Sequence, residues 1–402
     1  MFIYSSMRLL RMQPLGDINV IDFTQSIAGP VCTQMLGEMG AEVIKVEPPS
    51  GDAFRPLMKG SLFSAYNNGK KSICVDLKTD EGQELLTDLA AKADVLIESF
   101  RPGVLDEYGL DYDSISADNP DIVYCSLSGY GQTGPNRSFP GYDPCIQAMS
   151  GLMATTGYPD QPPVRIRSSL IDCGTGTNAA FAVMAAIRER DKTGEGDHID
   201  VSLFDVGISW MSYWIANYDT TGEVPERNGE LGIGSAPNGL FEASDGYVYL
   251  ITMTQTMFER LCKAVNRSDL LDRAEYQTMD DRIEHRPTLR EELHEAFASY
   301  TAEELEQLLL EARVPAAAVR SIDEVVELSH LEARSMLTES YNPEVDEPVD
   351  IAALPFTFES DGERPGYSSP PPTKGEHTTE VLEQFAYSDE RIETLRINGI
   401  IE

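Results

Sequence analysis

Short apolar runs that alternate with helical stretches constrain this chain more than any other feature. Ile18–Thr24 (I-N-V-I-D-F-T) has the apolar content of a buried strand. Ala28-Gly29-Pro30 opens a helix, since proline is tolerated in a first turn, where its missing N–H costs nothing. Gly40 closes that helix, and Ala41–Glu47 (A-E-V-I-K-V-E) is the next strand, so the N-terminus forms a βαβ unit. Further strands are expected at Ser72–Leu77, Asp94–Glu98 and Ile122–Ser126, with a helix over Thr79–Ala93. Strands that alternate with helices pair in parallel, and helices cover both faces of the resulting sheet. No G-x-G-x-x-G follows the first strand, so the expected fold is α/β and Rossmann-like without a dinucleotide fingerprint.

The later sequence changes character. An Ala-rich helix is expected over Thr175–Arg188, a strand over His198–Leu203 and a helix from Phe204 to about Asn217. Gly222–Asn238 is glycine-rich and irregular. Leu240–Thr252 reads as a hairpin turning at Asp245-Gly246. Helices follow at Gln255–Val265, Arg286–Ser299 and Ala302–Ala312, which makes a smaller α+β domain. Pro343–Pro372 is rich in proline and acids and is expected to be extended, before a last helix at Thr378–Phe385. The expected domains are 1–217 completed by 373–402, a linker with a Gly-rich loop over 218–238, a small domain over 239–335, and an extended return linker over 336–372.

Charge excludes some functions. With 67 acidic against 31 basic residues the formal net charge is −36. Nucleic-acid binding needs a basic face and is not expected. The acids are dispersed rather than gathered in a tail, as in proteins of salt-saturated cytoplasm, where salt screens the self-repulsion. A halophilic, cytoplasmic protein is expected. Six cysteines lack C-x-x-C spacing and read as buried thiols, not as disulfides or a metal site. No apolar run looks long enough to span a membrane. Met1–Met12 lacks the apolar core and cleavage site of a signal peptide, and Met12 is an alternative start.

The candidate site lies in Phe139–Thr177. Asp172 follows Leu170-Ile171 and precedes Gly174 and Gly176. Two readings stay open from the residues themselves. Asp172 is the N-cap of a helix starting near Thr175, a position that aspartate favours. Alternatively, it is a carboxylate at a ligand site, where glycines let backbone approach closely and helix N–H groups favour an anion. Cys173 adjoins it, with no histidine close in sequence.

Around this acid stand Gly141-Tyr142-Asp143 and Gln147-Ala148-Met149-Ser150-Gly151. Toward the N-terminus stand Ile21–Thr24 with Ala28-Gly29-Pro30, Gly40–Glu47, Gly51-Asp52, Asn68–Ser72, Glu98–Gly103 and Ser128–Gly131. Lys192–Gly196 and Gly375–Thr378 follow later. In this order and spacing the blocks resemble those of the family III CoA-transferases, whose members include formyl-CoA and carnitine CoA-transferases and α-methylacyl-CoA racemases. The resemblance covers almost the whole chain. It implies two-domain subunits interlocked as a homodimer, acting on an acyl-CoA and a short carboxylic acid. CoA and acyl-CoA are then substrates, and no tightly bound cofactor or metal is expected.

The resemblance also assigns roles. Asp172 matches the catalytic nucleophile. Ser26, Ile27 and Ala28 match the loop beside the thioester, and Ser99 and Phe100 match the pantetheine and adenine segment. Arg55, Lys70, Lys71 and Arg101 become phosphate partners. Because every intermediate is hydrolysable, water must be excluded, and the Gly-rich Gly229–Gly234, with Gly232 and Gly234 as substrate contacts, is the candidate lid; its alternative is an ordinary flexible connection. Ser99 stands where asparagine is usual, and Ile27 replaces the glutamine of formyl-CoA transferase, which speaks against formyl or oxalyl substrates. Tyr142-Asp143 occupies the turn that holds a His-Asp pair in the racemases. Tyrosine, with an ordinary pKa of about 10, is a poor base, so racemisation ranks below transfer. A non-catalytic acyl-CoA-binding protein, with Asp172 only a cap, is the third reading.

Val164–Arg167 alternates apolar and basic, and an extended chain would put Arg165 and Arg167 on one face. Arg167 falls where the family commonly has glycine. It is either a clamp for the free carboxylate of a dicarboxylic acyl group or a salt-bridge partner of a nearby acid. Combined with the halophilic composition, the clamp reading suggests succinyl-CoA as donor and a C4 or C5 dicarboxylate as acceptor. The resemblance makes mesaconate the specific expectation, since halophilic relatives of this family look suited to moving CoA between succinate and methylated unsaturated diacids.

Overall fold

The computed structural model describes residues 12–229, 231–359, 364–367 and 369–402. The question of Met1 or Met12 as start falls on residues 1–11, outside the described residues. Two compact units emerge, each built from discontinuous segments. One comprises the chain up to Leu152, Arg165–Glu223 and His330–Glu402. The other comprises Met153–Val164 and Val224–Ser329.

The first unit carries six parallel strands: β1 (Asn19–Phe23), β2 (Glu42–Glu47), β3 (Lys71–Cys74), β4 (Val95–Glu98), β5 (Val123–Ser128) and β6 (Asp197–Ser202). Their order is β3-β2-β1-β4-β5-β6, the doubly wound Rossmann order, which reverses direction between β1 and β4. Successive residues point to opposite faces of a strand. Ile21, Ile44, Leu96 and Tyr124 therefore enter one core, with Leu85, Leu86 and Leu89 of α3 (Asp80–Ala90) and Val381, Leu382, Ile392 and Leu395 of the C-terminal helices. Val20, Val43, Val95, Ile97, Val123 and Cys125 enter the other. There they meet Cys32 and Leu36 of α1 (Ala28–Glu38) and the long helix Leu170–Thr193. Between α1 and α3 lies α2 (Ser61–Tyr66). After α3 come α4 (Tyr112–Asp118) and α5 (Asp143–Met149), so the long helix is α6.

Helix α6 departs from expectation in two ways. It begins at Leu170 rather than near Thr175, and its glycines lie inside it. A Cβ on Gly176 would stand 2.4 Å from the Ala28 carbonyl oxygen, and one on Gly174 2.1 Å from the Trp210 ring. These glycines thus serve helix packing, and their cost to helix propensity is offset by close contact with α1 and Trp210. By length and composition α6 could also cross a membrane, contrary to the expectation that no apolar run is long enough. In the structure Ile171, Ala179, Ala180, Val183 and Ile187 of its inner face are core residues, while Phe181 and Met184 are exposed.

The segment 336–372 is not simply an extended linker. Leu337–Asn342 and Glu347–Ala352 pair antiparallel. Pro348 is tolerated because a two-stranded ribbon is all edge. The hairpin is fixed to the first unit by Asn342 Nδ2 donating to the Lys59 carbonyl at 2.9 Å and Ser340 Oγ donating to Asn68 Oδ1. The single expected helix after β6 is two, Leu203–Trp210 and Ser212–Thr221.

In the second unit Asn238–Glu242, Tyr247–Ile251 and Ala316–Ala318 form an antiparallel sheet. Helices Gln255–Ala264, Arg286–Phe297 and Ala302–Glu311 bury Phe258, Leu261, Leu289, Leu293, Phe297, Leu305 and Leu309 in its core. Residues 153–164 and 224–238, expected in the large domain and a linker, belong here. Arg227 donates to the carbonyls of Tyr158, Pro159 and Gln161, and Arg286 to those of Gly232 and Ser235.

Candidate active site

Two turns meet where the strand order reverses, the place at which open α/β sheets bind ligands. The first follows β1. Asp22, fully buried, accepts the Thr24 N–H at 2.8 Å and the hydroxyls of Thr24 and Thr33 at 2.6 and 2.7 Å. Lys45 Nζ donates to the Thr24 carbonyl at 2.7 Å. This bracing holds the backbone just ahead of Ser26, whose φ is +70°, a left-handed conformation that non-glycine residues seldom adopt. Ile27 then caps α1, and Ala28 is its first residue.

The second turn follows β4. Glu98 is buried and accepts the Phe100 N–H at 2.7 Å. Burial raises its carboxyl to about 7, against the lowering effect of the Ser126 hydroxyl and the Phe100 amide. Ser99 Oγ accepts the Gln25 N–H at 3.0 Å, which ties the two turns together. Ser26–Ala28 and Ser99–Arg101 are thus brought into one crevice.

Beside it lies a cleft of about 380 Å³ lined by Ser99, Phe100, Arg101, Arg137, Phe139 and Tyr142, among others. Arg101 and Arg137 are exposed, and neither side chain makes an ion pair or hydrogen bond among the described residues. Arg137 was missed in the sequence, and Phe139 was seen only as the first residue of the candidate stretch. The available signal was a lone arginine in a glycine- and proline-rich loop of a chain poor in cations.

The other predicted cations do different work. Arg55 is buried, paired through Nε and Nη2 with Glu47, donates from Nη1 to the Pro372 carbonyl and is stacked on Phe63. Lys70 is buried against Asp22 at 3.1 Å and Asn67 Oδ1 at 2.8 Å. Burial lowers its ammonium to about 8 despite Asp22. Lys71 pairs with Glu42 and Glu380. Arg55 and Lys70 correct the phosphate-partner expectation, because a charge taken from water needs a counter-charge and these have found theirs within the protein. Lys71 is only partly buried and is engaged by two surface carboxylates instead.

Asp172 sits in the first turn of α6. The N-cap is Ser169, whose side chain makes no capping bond, so the cap reading of Asp172 falls. Asp143 does the capping from another helix. Its Oδ2 accepts the N–H groups of Ile171 at 2.7 Å and Asp172 at 3.2 Å, and its Oδ1 accepts Gln147 Nε2 at 2.6 Å. This remote cap satisfies helix donors that would otherwise be orphaned, which explains the early start of α6. Asp143 is therefore a buried support and not an open substrate contact. Gln147 also exchanges hydrogen bonds with the Ile166 backbone, so Q-A-M-S-G holds the approach to α6. Burial first, and then the Asp143 charge, raise the Asp172 carboxyl from 3.8 to about 7. Across the site the Tyr66 hydroxyl lies 3.7 Å from Cys173 Sγ.

Tyr142 is 62 % exposed and lines the cleft. Arg165 and Arg167 are exposed on irregular backbone rather than a strand, and Arg167 makes no ion pair among the described residues. Gly232 and Gly234 belong to the second unit. The expected lid Gly229–Gly234 includes Glu230, outside the described residues, and Arg286 holds the Gly232 carbonyl at 3.1 Å. That anchor counts against a freely swinging segment.

Residues 15–378 match the profile of CoA-transferase family III. The chain belongs to that family. A succinyl-CoA:mesaconate CoA-transferase of Haloarcula hispanica is 35% identical over 93% of this chain and 96% of its own length. A succinyl-CoA–D-citramalate CoA-transferase of Chloroflexus aurantiacus is 33% identical over 92% of this chain and 93% of its own. Among solved structures, a CaiB/BaiF family protein of Brucella suis superposes with a TM-score of 0.85 at 33% identity, over 93% of this chain and all of that one. The protein is accordingly an enzyme of the CoA-transferase class, and the family expectation drawn from the sequence blocks holds.

Proposed function

We propose that this family III enzyme moves CoA from succinyl-CoA to a short dicarboxylate, mesaconate first among them, with Asp172 as the nucleophile. The observation that carries the reading is the placement of Asp172. It is a partly buried carboxylate with a raised pKa, held at a helix N-terminus by Asp143, in the unit that braces the Ser26–Ala28 and Ser99–Arg101 turns. A carboxylate of this kind suits covalent catalysis. Asp172 attacks the thioester carbonyl and CoA leaves as thiolate, which makes a mixed anhydride. The thiolate attacks the aspartyl carbonyl, releases succinate and leaves an aspartyl-CoA thioester. The acceptor carboxylate then attacks that thioester, and the thiolate returns to the new acyl group. Arg101 and Arg137 supply positive charge for the CoA phosphates.

The donor and acceptor rest on two supports. The Haloarcula relative is named for succinyl-CoA and mesaconate, and succinyl-CoA recurs in the names of the Chloroflexus and mouse relatives. Arg167 is exposed and makes no ion pair among the described residues, which suits its guanidinium to clamping a second carboxylate. Racemisation needs an acid and a base, and the partner of Asp172 is Asp143, with both oxygens already accepting protein donors.

The working form is a cytoplasmic homodimer that needs high salt. A net charge of −36 supports the salt requirement, and exposed Phe181, Tyr213, Ile215 and Tyr218 supply apolar surface for a second copy. Hydroxylamine added during turnover tests the mechanism, since transfer through Asp172 leaves a hydroxamate on that residue. Unlabelled Asp172 in an active enzyme removes the mechanism. A substrate panel with Arg167→Ala tests the clamp, which predicts a selective loss of dicarboxylates. Sedimentation at low and molar salt tests the dimer.

A further inference from the structure

The geometry points to Tyr66 as a catalytic hydrogen-bond donor for the oxyanions that form at Asp172. This inference rests on the reading of Asp172 as nucleophile. Tyr66 ends helix α2, and the residues after it are fixed. Asn67 and Asn68 are buried, Asn67 Nδ2 returns to the Phe63 carbonyl at 3.0 Å, and Asn67 Oδ1 accepts from Lys70 at 2.8 Å. The ring is therefore carried on a rigid base.

The hydroxyl has little to do in the resting enzyme. Among the described residues its hydrogen-bonding neighbour is Cys173 Sγ at 3.7 Å, and a thiol is a weak acceptor. Buried tyrosine hydroxyls usually find a strong partner. Tyr66 is half-buried, and its O–H has only that thiol as a protein partner among the described residues, beside the residue that adjoins the nucleophile. Burial above all, then Cys173 and Asp172, keeps the phenol protonated, so it remains a donor wherever Asp172 is ionised.

The reaction supplies the missing acceptor twice. When an Asp172 oxygen bonds to the thioester carbon, the C=O pair moves onto oxygen. That oxyanion collapses, re-forming C=O and breaking C–S, and CoA leaves as thiolate. When the thiolate then bonds to the aspartyl carbonyl carbon, the charge develops on the side-chain oxygen of Asp172 itself. It collapses by breaking the bond to the succinyl oxygen, and succinate leaves. A donor fixed beside Asp172 and poorly satisfied in the ground state stabilises both transition states more than it stabilises bound substrate. Tyr66 transfers no proton in either step.

The test is Tyr66→Phe, with Cys173→Ser as a second variant. Tyr66→Phe is expected to lower kcat roughly 100-fold, the usual size for loss of one such donor, with KM for acyl-CoA within about twofold of the parent. Cys173→Ser places a stronger acceptor against the Tyr66 hydroxyl, and is expected to lower kcat several-fold with KM unchanged. A folded Tyr66→Phe enzyme with parental kcat, or one changed only in KM, overturns the proposal. Should Tyr66→Phe not fold, parental kcat in Cys173→Ser overturns it. Hydroxylamine trapping separates this failure from that of the underlying reading. If parental enzyme labels at Asp172 and the variants turn over normally, only the role of Tyr66 is lost. If parental enzyme does not label there, the nucleophile assignment is lost as well.

Discussion

Replacing Asp172 by asparagine tests the electrostatics of the site apart from its chemistry. The folded protein holds this carboxyl at about 7 instead of 3.8, first through burial and then through Asp143. A carboxyl raised in the folded state binds its proton more tightly there than in the unfolded chain. Below about pH 4 both states are protonated and the group costs nothing. Between pH 4 and 7 the unfolded chain loses its proton first, so stability falls as pH rises, and above 7 the full cost is present. At roughly 1.4 kcal/mol per pH unit that cost is on the order of 4 kcal/mol. Asparagine keeps the shape and cannot ionise. The assay is urea unfolding of parent and Asp172→Asn at pH 5, 6, 7 and 8 and constant salt, followed by a signal from the first unit. Glu98, also held near 7, is common to both proteins and cancels in the difference. The variant should gain on the parent steadily with pH, and the gain should level off above 7. A difference independent of pH, or a variant that loses ground as pH rises, refutes the argument that burial of this carboxylate strains the fold.

On the proposed mechanism the same ionisation governs activity: transfer should rise with pH along a limb centred near 7, because the carboxylate form of Asp172 is the one that would attack. Asp143→Asn should move that limb to lower pH, though not to 3.8, because burial remains; the pH profile of kcat/KM measures both. Arg101→Ala and Arg137→Ala should each raise KM for acyl-CoA about tenfold, the effect of losing one charge-assisted contact, and should leave kcat nearly unchanged in steady-state kinetics. Gly176→Ala, whose Cβ would meet the Ala28 carbonyl at 2.4 Å, should cost about 1–3 kcal/mol in urea unfolding.

The sheet was legible because each strand carries its own apolar run, and β1, β2, β4 and β5 fall where those runs are. Ala316–Ala318 was not, because three alanines have no strand signature and pair only through the neighbouring strand Tyr247–Ile251. The start of α6 was misplaced for a related reason. Two glycines and a proline-rich approach signal a loop, and the cap that overrides them is Asp143, 29 residues before Asp172. Local reasoning cannot see a cap supplied by another helix. Residues 336–352 read as linker from their prolines and acids, whereas the pairing that makes them a hairpin depends on contacts with Lys59 and Asn68.

Cations show most plainly where sequence reading stops. Arg55, Lys70, Arg101 and Arg137 are all single basic residues in an acidic chain, and composition does not separate them. The fold does. Asp22, Glu47 and Asp52 lie at or just beyond the carboxyl ends of β1 and β2, are buried, and are each paired with a cation. Lys45, Arg55 and Lys70 are consumed in that pairing. Arg101 and Arg137 lie on turns near the end of β4 and after β5, and the Glu98 carboxyl at the end of β4 is engaged by the Phe100 amide and itself raised to about 7. Among the described residues neither arginine makes an ion pair. In a protein whose surface is overwhelmingly negative, a polyanion has few places to bind, and those places are set by which cations the interior has left unclaimed. The buried acids beneath the crevice and the free arginines beside it are therefore two parts of one arrangement. The first fixes the backbone of the Ser26–Ala28 turn, and by taking the neighbouring cations inward it leaves the cleft of Arg101 and Arg137 as the local positive region beside that backbone.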